Sequence, residues 1–187
     1  MTDSNSSNNF PAIRRELGGN FFLVGFMGSG KTHWGKKWAA ANQLPFIDLD
    51  DLIEKKAGKT IAEIFETSGE DHFRKMEAGT LRDCAGLHNT IVACGGGTPC
   101  FFENMQWMND HGMTIYIAGT PVEIVQRLAL EQEKRPLLKK LTQAELIFFI
   151  EQKLTEREPF YTQAKLTLQS GQLTGNTFAE IISSIIS

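Results

Sequence analysis

The sequence predicts an α/β fold built on a parallel sheet, and three observations predict it. Five short, nearly continuous apolar runs alternate with longer stretches of helical pattern, as strands buried on both faces do. Thr60-x-x-Glu63, Thr142-x-x-Glu145 and Thr177-x-x-Glu180 each match a capping box at a helix start, and Thr120-Pro121-x-Glu123 adds proline at a first helical position. Strands separated by helices in this way imply right-handed β-α-β crossovers.

The elements follow in order. Met1–Asn9 (MTDSNSSNN) is rich in Ser and Asn and has no apolar anchor, so residues 1–19 are expected to form a weakly ordered tail and 20–187 one domain. Phe21–Gly25 (FFLVG) reads as the first strand, followed by a glycine-rich loop and a helix from near Gly30. Pro45–Asp48 is the second strand, with a helix over Asp51–Ala57, and the segment around Gly69–Glu77 is helical. Thr90–Cys94, Met113–Ala118 and Lys165–Gln169 are the remaining strands. Glu131–Leu141 (EQEKRPLLKKL) is a polar, basic connection, and the helix after it is expected to end at Arg157-Glu-Pro159-Phe-Tyr161 with Pro159 as its breaker.

Composition bounds the function. A chain of 187 residues with 41% hydrophobic and 22% charged residues suits an ordinary globular domain, and the net charge of −3 does not attract nucleic acid. No apolar run approaches the length of a membrane span, and the amino terminus lacks the charged start and apolar region of a signal peptide. Cys84, Cys94 and Cys100 are odd in number and contain no C-x-x-C. His33, His72, His88 and His111 lie too far apart for a local metal motif. A cytoplasmic location, no membrane partner and no dedicated metal cluster are the expectations.

Gly25-Phe-Met-Gly28-Ser29-Gly30-Lys31-Thr32 matches G-x-x-x-x-G-K-[ST] between a strand and a helix. Such a loop wraps backbone N–H groups around phosphate, its lysine reaches the β- and γ-phosphates, its threonine serves Mg²⁺, and the helix dipole points its positive end at the anion. A nucleoside triphosphate is therefore the expected ligand. Asp48 and Asp50 close the second strand. Alternation in an extended segment sets them on one face, suited to dividing metal and substrate between them; a simple capping role at the Asp51–Ala57 helix is the lesser alternative beside a phosphate loop.

Four further patterns are ambiguous by themselves. Glu70, Arg74 and Glu77 have the spacing of a surface ion-pair ladder. Gly95-Gly96-Gly97 sits at the carboxyl end of the third strand, where open α/β sheets bind ligands, but a plain loop has the same look. Arg135, in the basic connection, either belongs to a solvated loop or closes over the phosphates as part of a lid. Arg157 suits a helix C-terminus or a carboxylate clamp.

Taken together and in order, these motifs resemble shikimate kinase over nearly all of residues 20–187: GFMGSGKT, FIDLDDLIE (46–54), G-K-T-I-x-E-I-F (58–65), G-E-x-x-F-R-x-x-E (69–77), the triple glycine, RPLL (135–138) and REPFY (157–161). The resemblance implies a three-layer α/β/α fold of the nucleoside-monophosphate-kinase type, with a five-stranded parallel sheet ordered 2-3-1-4-5 and a mobile lid near 131–141. It implies transfer of the γ-phosphoryl group of ATP to the 3-hydroxyl of shikimate, a step towards chorismate and the aromatic amino acids. Carried across residue by residue, it makes Lys31, Arg135 and Asp50 the catalytic set. Gly28, Ser29, Gly30, Lys31, Thr32, His33, Arg127 and Arg135 would bind ATP. Asp50, Arg74, Gly95, Gly96, Gly97 and Arg157 would bind shikimate, and Thr32 and Asp48 would serve Mg²⁺. A monomer is the expected state. His33-Trp34 departs from the small or polar residues that many relatives carry there, and the loop around Ser170–Asn176 is too variable to assign by residue. The competing readings are a gluconate or nucleoside monophosphate kinase, which has no need of the Arg74–Arg157 pair, and a non-catalytic ATP-binding switch, which has no need to retain Lys31, Asp50 and Arg135 together.

Overall fold

A computed structural model describes residues 19–129 and 142–186. Its elements are β1 (Asn20–Val24), α1 (Lys31–Ala41), β2 (Phe46–Asp48), α2 (Leu49–Ala57), α3 (Ile61–Asp83), β3 (Ile91–Ala93), α4 (Asn104–His111), β4 (Gly112–Ala118), α5 (Pro121–Ala129), α6 (Gln143–Tyr161), β5 (Leu166–Gln169) and α7 (Thr177–Ile186). The strands form one parallel sheet in the order β2-β3-β1-β4-β5, the order the resemblance implies.

The sequence pattern explains the layers. Along β1, Phe22 and Val24 point to one face and Phe21 and Leu23 to the other, all essentially without solvent exposure. On the first face Val92 and Tyr116 extend the layer, and α2 through α6 cover it with Leu49, Ile53, Phe73, Met105, Ile124 and Ile150. On the second face Ile91, Ile115 and Ile117 pack against Trp38 of α1 and Phe178, Ile181 and Ile182 of α7. The central strands read as unbroken apolar runs because both faces must be dry. The edge strand β5 is different: Leu166 and Leu168 join the second core while Thr167 and Gln169 are exposed.

Four local expectations require correction. Asp50 is not in an extended segment: α2 begins at Leu49, with Asp48 as its N-cap accepting from the Asp50 N–H at 3.1 Å. The helical stretch through 69–77 is interrupted at Gly69, whose φ of 78° and ψ of 171° kink α3. Pro159 does not break α6, which runs on to Tyr161. In the last turn the proline removes only one internal hydrogen bond, and the Tyr161 hydroxyl, donating to the Gly96 carbonyl at 2.5 Å, holds the helix end in place. The capping box expected at Thr177 does not form either. Thr177 is the first helical residue, and its hydroxyl accepts from the Thr174 N–H at 2.9 Å. The boxes at Thr60, Thr120 and Thr142 are all present. Most of the expected tail, the expected lid and Arg135 lie outside the described residues.

Candidate active site

β1 delivers its chain into the glycine loop at the carboxyl edge of the sheet. Gly25 (φ 138°), Gly28 (φ 75°) and Gly30 (φ 99°) all hold positive φ, and a Cβ on Gly25 would meet the Ile117 carbonyl at 2.6 Å. Gly30 is the N-cap of α1 and leaves the first N–H groups of that helix without a side-chain cap, and no acidic residue lies in its first turn. The helix thus presents an uncompensated positive end to the loop, suited to an anion. Lys31 is buried and its ammonium donates to the carbonyls of Gly25 and Phe26 at 2.7 and 2.8 Å, which anchors the charge inside the loop's curl.

The loop opens into a cleft of about 920 Å³ lined by Met27, Gly28, Gly30 to Trp34, Asp48, Asp50, Asp51, Cys94 to Gly96, Arg127 and Ser170. Asp48 and Asp50 share it although they sit in different elements. The Thr32 hydroxyl donates to Asp48 at 2.8 Å, so Asp48 both caps α2 and faces the loop threonine. Asp50 has a buried carboxylate oxygen with no hydrogen-bond partner among the described residues, within 2.9 Å of where a Cβ on Gly95 would stand. Burial, then the charges of Asp48 and Glu77, push its pKa up to about 6 against the opposing pull of Lys31. This is a carboxylate poised to accept a hydrogen bond or a proton. A hydroxyl and a carboxylate are oxygen donors suited to a hard ion that completes its shell with phosphate and water. Among the described residues there is no cluster of three His, Cys, Asp or Glu able to hold a metal on its own.

The triple glycine earns its place through what lies against it. A Cβ on Gly97 would stand 2.6 Å from the Arg74 guanidinium, and one on Gly96 would stand 3.5 Å from that of Arg157. Two guanidiniums from α3 and α6 therefore converge on consecutive glycines. Arg74 is buried, donates to Glu70 at 3.0 and 3.2 Å and to Glu77 at 2.9 Å, and lies over the Phe101 ring at 4.4 Å. Its bonds use three of five N–H donors, leaving two for a ligand. Glu77 is wholly buried, and its other oxygen accepts from the Thr98 hydroxyl at 2.6 Å. Arg157 lies over Phe26 at 5.5 Å. The spacing of Glu70, Arg74 and Glu77 thus does make an ion-pair ladder, inward at its Arg74–Glu77 end while Glu70 stays exposed to solvent.

Arg127 of α5 reaches across the loop and donates to the carbonyl of Ser29 at 3.1 Å and, more weakly, of Gly28 at 3.4 Å. His33 is exposed, and its ring meets Trp34 edge-on. Of the predicted set, only Arg135 falls outside the described residues. Arg74, Gly97 and Arg157 do not line the cleft itself but stand at its glycine wall. Residues outside the predicted set complete the arrangement: Glu77, itself held by Thr98, holds Arg74, and Tyr161 holds the glycine wall at Gly96. The signals were available: Thr98 follows the triple glycine, and Tyr161 lies one helical turn from Arg157.

The shikimate kinase family model matches residues 27–186. A shikimate kinase of Phocaeicola vulgatus is 43% identical over 152 residues, spanning 81% of this chain and 87% of that relative. Among solved structures, a shikimate kinase from Bacteroides thetaiotaomicron superposes with a TM-score of 0.83 at 37% identity, covering 89% of this chain and 97% of the other. A shikimate kinase from Acinetobacter baumannii in complex with shikimate gives 0.80 at 30% identity, covering 95% and 96%.

Proposed function

We propose how this cleft works from one premise, that the chain belongs to the shikimate kinase family. Its reaction is ATP-dependent phosphorylation of shikimate at the 3-hydroxyl, a step of aromatic amino acid biosynthesis. One observation carries the assignment of roles: the phosphate loop, the Thr32–Asp48 pair and the unpartnered Asp50 carboxylate line a single cleft bounded by the triple glycine.

The triphosphate lies in the loop, with N–H groups of Gly28 to His33 and the positive end of α1 around its oxygens. Lys31, already oriented by two carbonyls, adds the charge that strengthens as negative charge builds on the transferring oxygens. Mg²⁺, held by Thr32 and Asp48 together with phosphate and water, would neutralise the β- and γ-phosphates. Arg74 and Arg157 grip the shikimate carboxylate with their planar guanidiniums, and the bare backbone of Gly95, Gly96 and Gly97 lets the ring lie close. Asp50 then orients the attacking 3-hydroxyl and takes up its proton late, since a loose phosphoryl-transfer transition state asks little of a base. Arg135 is assigned to transition-state charge and Arg127 to the nucleotide. The chain acts as a monomer. Among the described residues no helix is long and apolar enough to cross a membrane. We assign the protein to the cytoplasm, as the sequence reading expects.

The test is ADP release with Mg·ATP in the presence of shikimate, gluconate or AMP. A large rate with shikimate alone supports the reading, and equal rates with the other acceptors refute it. In the same assay Arg157→Ala should raise the KM for shikimate by about tenfold or more, the scale of a lost charge-assisted hydrogen bond, and leave the KM for ATP nearly unchanged. Equal losses for both ligands would remove Arg157 from the carboxylate clamp.

A further inference from the structure

The cleft has two unlike ends. One is acidic and glycine-lined, with Asp48, Asp50, Asp51, Gly95 and Gly96; the other carries His33, Trp34, Arg127 and Ser170. With the triphosphate seated on the loop between them, the nucleoside portion must leave by the second end.

Trp34 is unusual among the residues there. Its indole stacks on Trp38 with centroids 5.7 Å apart and planes 29° apart, Trp38 stacks on Phe178, and Phe178 meets Phe21 of β1 edge-on. The ammonium of Lys37 lies 5.1 Å from the Trp34 ring centre. Trp38 gives its own indole N–H to the Thr174 carbonyl at 3.0 Å, which ties the pile to the 170–176 segment that contributes Ser170 to the cleft. Trp34 is therefore braced from the core outward and cannot turn without disturbing the whole stack.

Its indole N–H, unlike that of Trp38, has no hydrogen-bond partner among the described residues. A Cβ on Gly30 would stand 3.1 Å from the indole Cδ1, 3.5 Å from its Nε1 and 3.9 Å from the Arg127 Nη1. The Trp34 indole of α1 and the Arg127 guanidinium of α5, whose Nη1 already bonds the Gly28 and Ser29 carbonyls, thus approach each other beside Gly30, where the lack of a side chain lets the ring come close. The N–H is not among the buried unpartnered polar atoms, so it faces the open cleft and is free to donate to a ligand that arrives there.

We infer that Trp34 is a positioning residue for the nucleoside end of ATP: its braced indole, with the N–H beside Arg127, forms the wall against which the sugar and base settle. The inference rests on the ATP reading above and deepens it by naming a specificity element in this chain. It explains why the bulky Trp34 is tolerated directly after a phosphate loop. The ring does not fill the phosphate seat but borders it.

The test compares a ligand that has a nucleoside with one that lacks it. Trp34→Phe keeps a ring and loses the N–H; Trp34→Leu loses both. The KM for ATP should rise by about threefold in the first and about tenfold in the second, the scale of one hydrogen bond and one ring contact. kcat and the KM for shikimate should stay within about twofold, and the inhibition constant of inorganic tripolyphosphate, which occupies the loop without a nucleoside, should not move. A KM for ATP unchanged in both variants overturns the inference. So does a parallel rise in the tripolyphosphate constant, because that outcome makes Trp34 a support of the loop and nothing more. Failure of the wild-type chain to be inhibited by tripolyphosphate or to use ATP would instead defeat the underlying nucleotide reading, and this inference with it.

Discussion

Asp50 shows the conflict between stability and chemistry most directly. It is half-buried, with one carboxylate oxygen out of contact with solvent and without a partner among the described residues, and Asp48 and Glu77 add like charge, so ionising it costs folding free energy. Because its pKa rises from near 4 in the unfolded chain to about 6 in the folded one, the stability linked to its proton is fully present below the unfolded value and lost as pH climbs through 6. At pH 8 the free enzyme therefore carries the whole penalty, on the order of 3 kcal/mol. Asp50→Asn should raise the melting temperature at pH 8 by roughly 6–12 °C, with the gain shrinking towards zero near pH 4. The same variant should lower kcat by about 100-fold or more, the scale of a lost acid–base or positioning group. Thermal unfolding across pH, beside turnover at saturating substrate, checks both halves. A variant no more stable than the wild type at pH 8 would mean that the carboxylate is not desolvated, and unchanged turnover would take Asp50 off the catalytic list.

At the scale of elements, α3 is the piece whose shape matters most. Gly69 divides it in a conformation, φ 78° and ψ 171°, that only glycine adopts cheaply. A Cβ there would meet nothing within 4 Å, so the cost of Gly69→Ala is purely conformational, about 1–3 kcal/mol. Straightening the kink would re-aim the segment that carries Glu70, Arg74 and Glu77. Denaturant unfolding should therefore report that loss, and the KM for shikimate should rise while the KM for ATP holds. Full stability in the alanine variant would mean that the chain relaxes into a continuous helix without penalty. This kink also marks where the sequence stops being legible. Thr67-Ser68-Gly69 is a run of weak helix formers and Ser-Gly a turn signal, but the helical spacing on either side hides it, because one glycine in a helical pattern usually signals only a weak spot. The strands were readable because two-sided burial forces apolar runs, and their ends fall within a residue or two of expectation. The phosphate loop was readable because backbone curvature and charge leave few alternatives. Arg74 was not readable from spacing alone, since i, i+3 and i, i+4 partners describe a solvated ladder and an inward one equally. What turns it inward is Gly97, twenty-three residues away and without a side chain to obstruct the guanidinium. Asp50 shares a face with Asp48 for a reason the strand pattern could not supply, the immediate turn into α2 at Leu49.

The whole molecule places its site at the seam between two cores. The face built on Phe22, Val24 and Tyr116 carries α2, α3 and α6, which supply Asp50, Arg74 and Arg157. The opposite face, on Phe21, Leu23 and Ile115, carries α1 with Lys31, Thr32 and Trp34. The loop after β1 joins the two, since Lys31 bonds the carbonyls of Gly25 and Phe26 while Phe26 itself lies in the first core beneath Arg157. A nucleotide bound there contacts groups anchored on both sides of the sheet, so it stabilises the domain as one cooperative unit rather than a single loop. Saturation at about 100 times the dissociation constant adds about 2.7 kcal/mol, which for a domain of this size raises the melting temperature by roughly 5–10 °C. Mg·ATP should produce a single sharpened transition shifted by that amount. Lys31→Met should abolish the shift with ATP and preserve the one with shikimate, whose proposed contacts belong to α2, α3, α6 and the triple glycine. Calorimetry checks the outcome. Two separable transitions, only one of them moved by nucleotide, would mean that the two faces unfold independently and that the loop between them does not couple the donor site to the acceptor site.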